Sequence, residues 1–96
     1  MKEATILKHL RTGLFKLGIE SRRVEWTGHD GAPDLLIFAR GGIWVETKAP
    51  GKKPRENQLL EHEKMRDAGM YVYVIDSIEK VDTLLELIKV NIRVKG

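Results

Sequence analysis

Apolar residues recur at helical spacing near the N-terminus and alternate with polar residues after it. A stripe of leucines at three- and four-residue steps predicts a helix over residues 2–17, with Gly18 as its C-cap. The alternation over residues 21–27 predicts a half-buried strand. Residues 28–33 contain two glycines and a proline, so they predict a loop.

Two apolar segments then predict a β-hairpin. Residues 34–39 and 43–48 form its strands, and Arg40-Gly41-Gly42 is predicted as a three-residue loop that sets Ala39 opposite Ile43. Both faces of this pair carry apolar side chains. We therefore expect the hairpin to lie inside a sheet that is covered on both sides.

The second half of the chain predicts a helix, a strand and a further helix. Pro54 fits the first turn of the second helix of the chain, which runs to about residue 68 and stops at Gly69. Residues 70–75 predict a strand, and Ser77 can cap the last helix. Residues 90–94 alternate weakly and predict a short edge strand. The predicted order is αβββαβα.

Length and composition limit what kind of protein this is. The 96 residues, 42% of them hydrophobic, predict one domain over residues 1–96. The absence of cysteine excludes disulfides, thiolate zinc sites and a cysteine nucleophile. No apolar run approaches the length of a membrane span, and the N-terminus lacks a secretory profile, so we expect a cytoplasmic protein without a membrane partner.

The distribution of charge says more than the net charge of +3. Cations gather in residues 8–23 and 48–55, whereas acidic residues gather in 56–67 and 76–86. This segregation suits a polyanionic partner on one side, although a solvated surface is the commoner explanation of a charge run.

Three side chains at the open end of the hairpin carry candidate chemistry. With a three-residue loop, Asp34 faces Lys48 and Glu46 lies diagonal to Asp34, all on one face; a two-residue loop would turn Asp34 to the other face. Two neighbouring carboxylates need a counter-charge, which Mg²⁺ supplies, with Mn²⁺ as a substitute. Lys48 would stabilise charge on a phosphate, so the pattern predicts phosphodiester hydrolysis. The alternative is a simple Glu46–Lys48 salt bridge.

The motif around these residues resembles a known family. Residues 31–36 (GAPDLL), residues 43–50 (IWVETKAP) and Gln58 resemble the virus-type replication-repair nuclease (VRR-Nuc) domain of the PD-(D/E)XK superfamily. The resemblance implies an α/β fold whose core is αβββαβ, a mixed sheet flanked by helices, with a C-terminal helix added here. It also implies a homodimer, encoded by a phage or a bacterium, that cuts branched DNA such as four-way (Holliday) junctions.

The resemblance assigns roles residue by residue. Two carboxylates and one backbone carbonyl would hold the metal, and three further side chains would complete the active site. The metal ligands are Asp34, Glu46 and the Thr47 carbonyl, and the further side chains are the catalytic Lys48, Gln58 and Glu3.

Basic residues outside the motif are candidate DNA contacts. Lys52, Lys53 and Arg55 follow the catalytic strand and would border the scissile phosphate, and Arg11, Arg22 and Arg23 are further candidates. The histidines lack zinc-site spacing. His62 shares a helical face with Gln58 and could reach a phosphate, and His29 could approach DNA.

Two other functions remain open from the sequence. A catalytically silent DNA-binding module would keep the basic segments but need not keep Asp34, Glu46 and Lys48 together. A restriction-type nuclease acting on duplex DNA would need base-reading elements, for which 96 residues leave little room.

Overall fold

The computed structural model describes residues 1–95, and side chains as far as Val90. The elements follow the predicted order αβββαβα. They are α1 (Glu3–Lys16), β1 (Ser21–Arg23), β2 (Leu35–Ile37), β3 (Ile43–Thr47), α2 (Glu56–Asp67), β4 (Tyr71–Ile75) and α3 (Ile78–Lys95).

The four strands form one mixed sheet in the order β1-β2-β3-β4. The pairs β1–β2 and β2–β3 are antiparallel, and β3–β4 is parallel. Helix α2 makes the crossover that a parallel pair requires. The predicted α/β class and mixed sheet are therefore confirmed.

The core lies between one face of the sheet and the helices α1 and α3. Helix α1 contributes three fully buried residues, Ile6, Leu10 and Leu14, so its buried stripe begins at Ile6 and leaves Leu7 only partly covered. The sheet contributes alternate residues of β2 and β3, and α3 contributes every third or fourth residue. The members from these elements are Leu35, Ile37, Ile43, Val45, Val81, Leu84 and Ile88.

The expectation that both faces of the hairpin are covered was wrong for its outer part. Leu36 and Trp44 are only partly buried, and Phe38 is half exposed. Trp26 packs on Trp44 with ring centroids 5.1 Å apart, but Trp26 is itself exposed. Helix α2 packs on the same face beside β4 and does not extend over these side chains.

The hairpin register differs from the predicted one by two residues. Ile37, rather than Ala39, pairs with Ile43, which leaves residues 38–42 as the connection. The chain leaves the ladder early because Arg40, Gly41 and Gly42 all have positive φ angles, and the Gly42 N–H closes a turn on the Ala39 carbonyl. A shift of two residues preserves the face on which each side chain points.

Two predicted strands also differ. Strand β1 ends at Arg23 rather than continuing to residue 27, although the Val24 N–H still bonds the Asp34 carbonyl. The predicted edge strand at residues 90–94 was wrong, because α3 runs without interruption to Lys95. Ser77 caps α3 as predicted, by accepting a hydrogen bond from the Lys80 N–H at 3.1 Å. None of the helices in residues 1–95 is long and apolar enough to cross a lipid bilayer.

Candidate active site

The predicted site residues converge where β2 begins and β3 ends. Asp34 immediately precedes β2, and continuing the β2–β3 register by one residue places it opposite Glu46. Lys48 follows β3, and its N–H bonds the Ile75 carbonyl at 2.9 Å, which keeps the chain extended beside β4. Its Nζ lies 3.7 Å from Glu46 Oε2. The corrected register therefore sets the two carboxylates opposite each other, where the predicted register had Lys48 opposite Asp34.

Each of the two carboxylates has one buried oxygen that accepts no hydrogen bond from the described residues. The Glu46 side chain is 8% exposed and that of Asp34 is 31% exposed. Asp34 Oδ1 and Glu46 Oε1 are buried and have no hydrogen-bond partner among the described residues. A buried unpaired carboxylate oxygen is costly, and a hard divalent cation relieves that cost. This pair of orphaned oxygens is the feature that fits a metal ion.

The site offers two carboxylates and no larger ligand cluster. Within residues 1–95 there is no group of three or more histidine, cysteine, aspartate or glutamate side chains arranged to hold a metal ion. Mg²⁺ is commonly held by only one or two carboxylates, and waters and substrate phosphates complete its shell. The donor set therefore suits Mg²⁺ or Mn²⁺ better than a structural ion enclosed by protein ligands.

Burial raises the pKa of both carboxylates, and repulsion adds to the shift at Glu46. Burial raises the pKa of Glu46 to about 7, and the neighbouring Asp34 charge adds to this while Lys48 opposes it. Burial also raises the pKa of Asp34, against the lowering effect of Arg23, whose guanidinium lies 4.0 Å from Asp34 Oδ2. Perturbed carboxylates that share a cleft are typical of functional sites.

Five of the six basic residues predicted to contact DNA lie in two groups. Lys52, Lys53 and Arg55 lie in the connection between β3 and α2 that follows Lys48, and all three are exposed. Arg11 and Arg23, together with Lys8, line a groove of about 500 Å³ between α1 and β1. Arg23 thus borders both this groove and Asp34.

Arg22 points away from that groove. Its guanidinium pairs with Glu20 at 2.9 Å and lies over the Phe38 ring at 5.0 Å from the ring centroid. Arg11, Arg22 and Arg23 therefore do not share one surface.

Comparison with known proteins identifies the family. No family model matches the chain. The protein named Putative nuclease p44, from Acyrthosiphon pisum secondary endosymbiont phage 1, is 39% identical to it over 79 residues, which are 80% of this chain and 85% of that protein. A solved structure described as a VRR_NUC domain matches with a TM-score of 0.80 at 37% identity, covering 90% of this chain and 96% of that one. The chain belongs to the VRR-Nuc family.

Membership of the VRR-Nuc family confirms the resemblance drawn from residues 31–58 and the PD-(D/E)XK type of fold. It also gives the activity class, which is nuclease. The roles of individual residues in this VRR-Nuc chain rest on the geometry above, and they remain predictions.

The other residues predicted for the site, Glu3, Thr47 and Gln58, differ in their burial and in their contacts. Glu3 begins α1 and is exposed, and its charge contributes to raising the pKa of Glu46. The Thr47 side chain is fully buried on the opposite face from Glu46, and its Oγ1 has no hydrogen-bond partner among the described residues. Gln58 is buried in the first turn of α2, where its Oε1 accepts the Arg55 N–H at 2.8 Å and caps the helix.

The histidines of this VRR-Nuc chain have separate roles. His9 Nε2 lies 2.8 Å from Asp82 and links α1 to α3, and His29 Nε2 lies 3.0 Å from Glu61 on α2. The expectation that His62 could reach a phosphate was wrong, because its side chain is fully buried. Its Nε2 instead lies 3.8 Å from Glu46 Oε1. The four-residue spacing correctly placed His62 on the same helical face as Gln58. That face is buried against the sheet at His62, so the ring lies beside Glu46 and not in solvent.

Proposed function

We propose that this VRR-Nuc protein is a divalent-metal-dependent DNA endonuclease. It hydrolyses phosphodiester bonds in branched DNA, including four-way junctions, and acts as a homodimer. It works in the cytoplasm, and in the cytoplasm of the host cell if a phage encodes it. The observation that carries the proposal is the meeting of Asp34, Glu46 and Lys48 at one end of the sheet, with two orphaned carboxylate oxygens.

Asp34 and Glu46 would hold the metal ion, with the Thr47 carbonyl as a further ligand. When bound, Mg²⁺ supplies positive charge, an activated water and polarisation of the phosphate. The protein contributes a position largely shielded from solvent, in which these electrostatic effects are stronger than in water.

Lys48 is placed to act on the phosphate. Its Nζ lies 3.7 Å from Glu46, beyond the usual length of a hydrogen bond, so its N–H donors are available to a phosphate oxygen. Its side chain is 15% exposed, so Lys48 is not fully closed off from a substrate. We assign to Lys48 the stabilisation of negative charge on the scissile phosphate.

The exposed cations around the site would hold the DNA backbone. Lys52, Lys53 and Arg55 follow Lys48 along the chain, and the groove with Arg11 and Arg23 begins beside Asp34. A strand that crosses the site can therefore meet positive charge before and after the scissile bond.

The test is a cleavage assay with Mg²⁺ or Mn²⁺ on fluorescently labelled four-way junctions, flaps, nicked duplexes and linear duplexes. The substitutions Glu46→Gln and Lys48→Ala should each abolish cleavage while leaving junction binding, measured by anisotropy, largely intact. Glu63→Gln and Lys64→Ala change the same residue types at exposed positions of α2 and should leave cleavage unchanged.

The same assay separates the alternatives. EDTA should stop turnover, and cleavage that persists in chelator would contradict a metal-dependent reaction. Binding without cleavage by the parent protein would favour the silent DNA-binding module. Equal cutting of linear duplex and junction would favour the restriction-type nuclease.

A further inference from the structure

His62 is the most deeply buried ionisable side chain near the site, and nothing in the proposed reaction uses it. Its side chain has no exposed surface, and neither Nδ1 nor Nε2 has a hydrogen-bond partner among the described residues. Burying two ring nitrogens without partners costs free energy that an apolar residue of similar size would not incur. Packing alone therefore does not explain why a histidine, and not an apolar residue, occupies this position.

The nearest polar atom to this ring is another orphan. His62 Nε2 lies 3.8 Å from Glu46 Oε1, which is itself buried without a partner. Hydrogen bonds of this kind span about 2.7–3.2 Å, so a movement of roughly 1 Å would join the two atoms. The unpartnered ring nitrogen and the unpartnered carboxylate oxygen therefore lie within about 1 Å of hydrogen-bond distance.

A hydrogen bond from His62 would leave Glu46 able to bind a cation. A neutral imidazole with its proton on Nε2 donates one hydrogen bond and adds no charge. Glu46 would still have oxygen lone pairs for a cation, because each carboxylate oxygen carries two.

We propose that His62 is a positioning residue that orients the metal-binding carboxylate of Glu46 through a hydrogen bond from Nε2 to Oε1. This inference rests on the proposed function, since it treats Glu46 as a metal ligand. This bond would hold the Glu46 carboxylate in one orientation for a divalent cation. Outer-shell donors of this kind typically change metal affinity 10- to 100-fold when they are removed.

The position of His62 on α2 links this role to the rest of the helix. Gln58, one turn earlier on the same face, holds the start of α2 by capping it, so the ring is presented to β3 by a fixed helix. Lys48 lies near the other oxygen of Glu46, at 3.7 Å from Oε2. Each oxygen of Glu46 therefore has one protein donor within 4 Å, His62 on α2 and Lys48 immediately after β3.

Replacing His62 with leucine should weaken metal binding without lowering the stability of the metal-free protein. We would measure Mn²⁺ binding by calorimetry, without DNA, and thermal unfolding in EDTA for the parent protein and the variants His62→Leu, His62→Gln and His62→Asn. Leu removes both nitrogens, Gln places an amide near the Nε2 position, and Asn places one near the Nδ1 position. Met65→Leu, a second buried position on α2, controls for repacking of the helix.

We expect His62→Leu and His62→Asn to weaken Mn²⁺ binding by roughly 10- to 100-fold, while His62→Gln retains most of the affinity. The melting temperature of metal-free His62→Leu should be equal to or higher than that of the parent, because two unpaired buried nitrogens are gone. Met65→Leu should leave Mn²⁺ affinity unchanged. A role in packing alone would affect Gln and Asn alike.

Parent-like Mn²⁺ affinity in His62→Leu would overturn the inference while leaving the proposed function intact. So would equal loss of affinity in the Gln and Asn variants. If His62→Leu does not fold, the comparison of Gln with Asn decides the question. Failure of the parent to bind Mn²⁺, or binding that survives Glu46→Gln, would overturn the proposed metal site and this inference with it.

Discussion

At the scale of single residues, Glu46 makes the stability of the metal-free protein depend on pH. Its folded pKa is raised from 4.5 to about 7, so between these values the folded state binds more protons than the unfolded state. Stability attributable to Glu46 therefore falls as pH rises from about 4.5 to about 7. The raised pKa of Asp34 acts in the same sense, whereas the lowered pKa of His62 acts in the opposite one.

We predict that Glu46→Gln stabilises the metal-free protein at pH 8 and has little effect at pH 5. The difference is at most about 3 kcal/mol at high pH, reduced by solvent screening through the open side of the site. Urea unfolding in EDTA at pH 5, 6, 7 and 8 would measure it, and taking the difference between variant and parent removes the contributions of groups remote from Glu46. A stability difference that does not change with pH would show that the proton on Glu46 is not linked to folding.

The sequence was sufficient to find Asp34, Glu46 and Lys48, because alternation in strands determines which side chains share a face. That prediction survived a two-residue error in register, since only an odd shift would have moved Asp34 to the other face. The orientation of His62 could not be found in the same way. Helical spacing gives its direction around α2, but whether that direction meets solvent or Glu46 depends on how deeply α2 packs on the sheet.

At the scale of elements, the loop between β1 and β2 positions Asp34 by packing against the start of α2. The Asn57 side chain donates to Asp30 and His29 pairs with Glu61, so two side-chain pairs join the loop to the helix. Gly31 lies at the closest approach, with φ +91°, and an added Cβ would be 2.6 Å from the Asn57 carbonyl oxygen. Only glycine satisfies both the backbone angle and the space.

We predict that Gly31→Ala destabilises the protein by roughly 1–3 kcal/mol and also weakens Mn²⁺ binding, because the loop must withdraw from α2 and carry Asp34 with it. Gly28→Ala is the matched control. Gly28 also has a positive φ, +71°, but no atom lies within 4 Å of its added Cβ, so it tests strain without the collision. Equal losses of stability and of Mn²⁺ affinity in the two variants, by urea unfolding and calorimetry, would show that the close approach to Asn57 is unimportant.

The elements that the sequence predicted incorrectly are those whose apolar pattern suits two structures. Residues 90–94 alternate, but Ile92 also follows Ile88 by four residues in the sequence. No glycine or proline separates these residues from α3, so the helix continues to Lys95. The hairpin loop was placed correctly, but its length depends on the positive φ angles at residues 40–42 and on the hydrogen bond of Phe38 to Glu20 in the neighbouring strand segment. Such non-local bonds are absent from the sequence pattern.

At the scale of the whole molecule, the cations of residues 48–55 and the groove beside α1 give DNA a sequence-independent hold. Neutralising phosphates releases counterions, so binding should weaken steeply as salt rises. We predict that the double substitution Lys52→Ala and Lys53→Ala weakens junction binding and lowers the salt slope by roughly one unit for each phosphate that is no longer neutralised. Anisotropy titrations across a salt series measure both quantities.

Lys64→Ala with Lys89→Ala is the matched control for that pair, because it removes the same charge from exposed positions on α2 and α3. This control should leave the salt slope close to that of the parent. An identical fall in slope for both doubles would mean that net charge alone, and not the connection after β3, holds the DNA.

The number of sites per molecule leads to the last prediction. Each chain supplies one set of Asp34, Glu46 and Lys48, whereas a four-way junction is two-fold symmetric and is resolved by cuts in two matching strands. An isologous C2 dimer presents two equivalent sites to such strands, and it is the commonest oligomeric arrangement.

We predict that light scattering detects a dimer and that two protomers of Glu46→Gln bind one junction. Mixing the parent with excess Glu46→Gln should convert paired cuts in a supercoiled cruciform into single nicks, because a mixed dimer holds one working site. A monomer at working concentration, or paired cuts that persist in the mixture, would contradict the dimer.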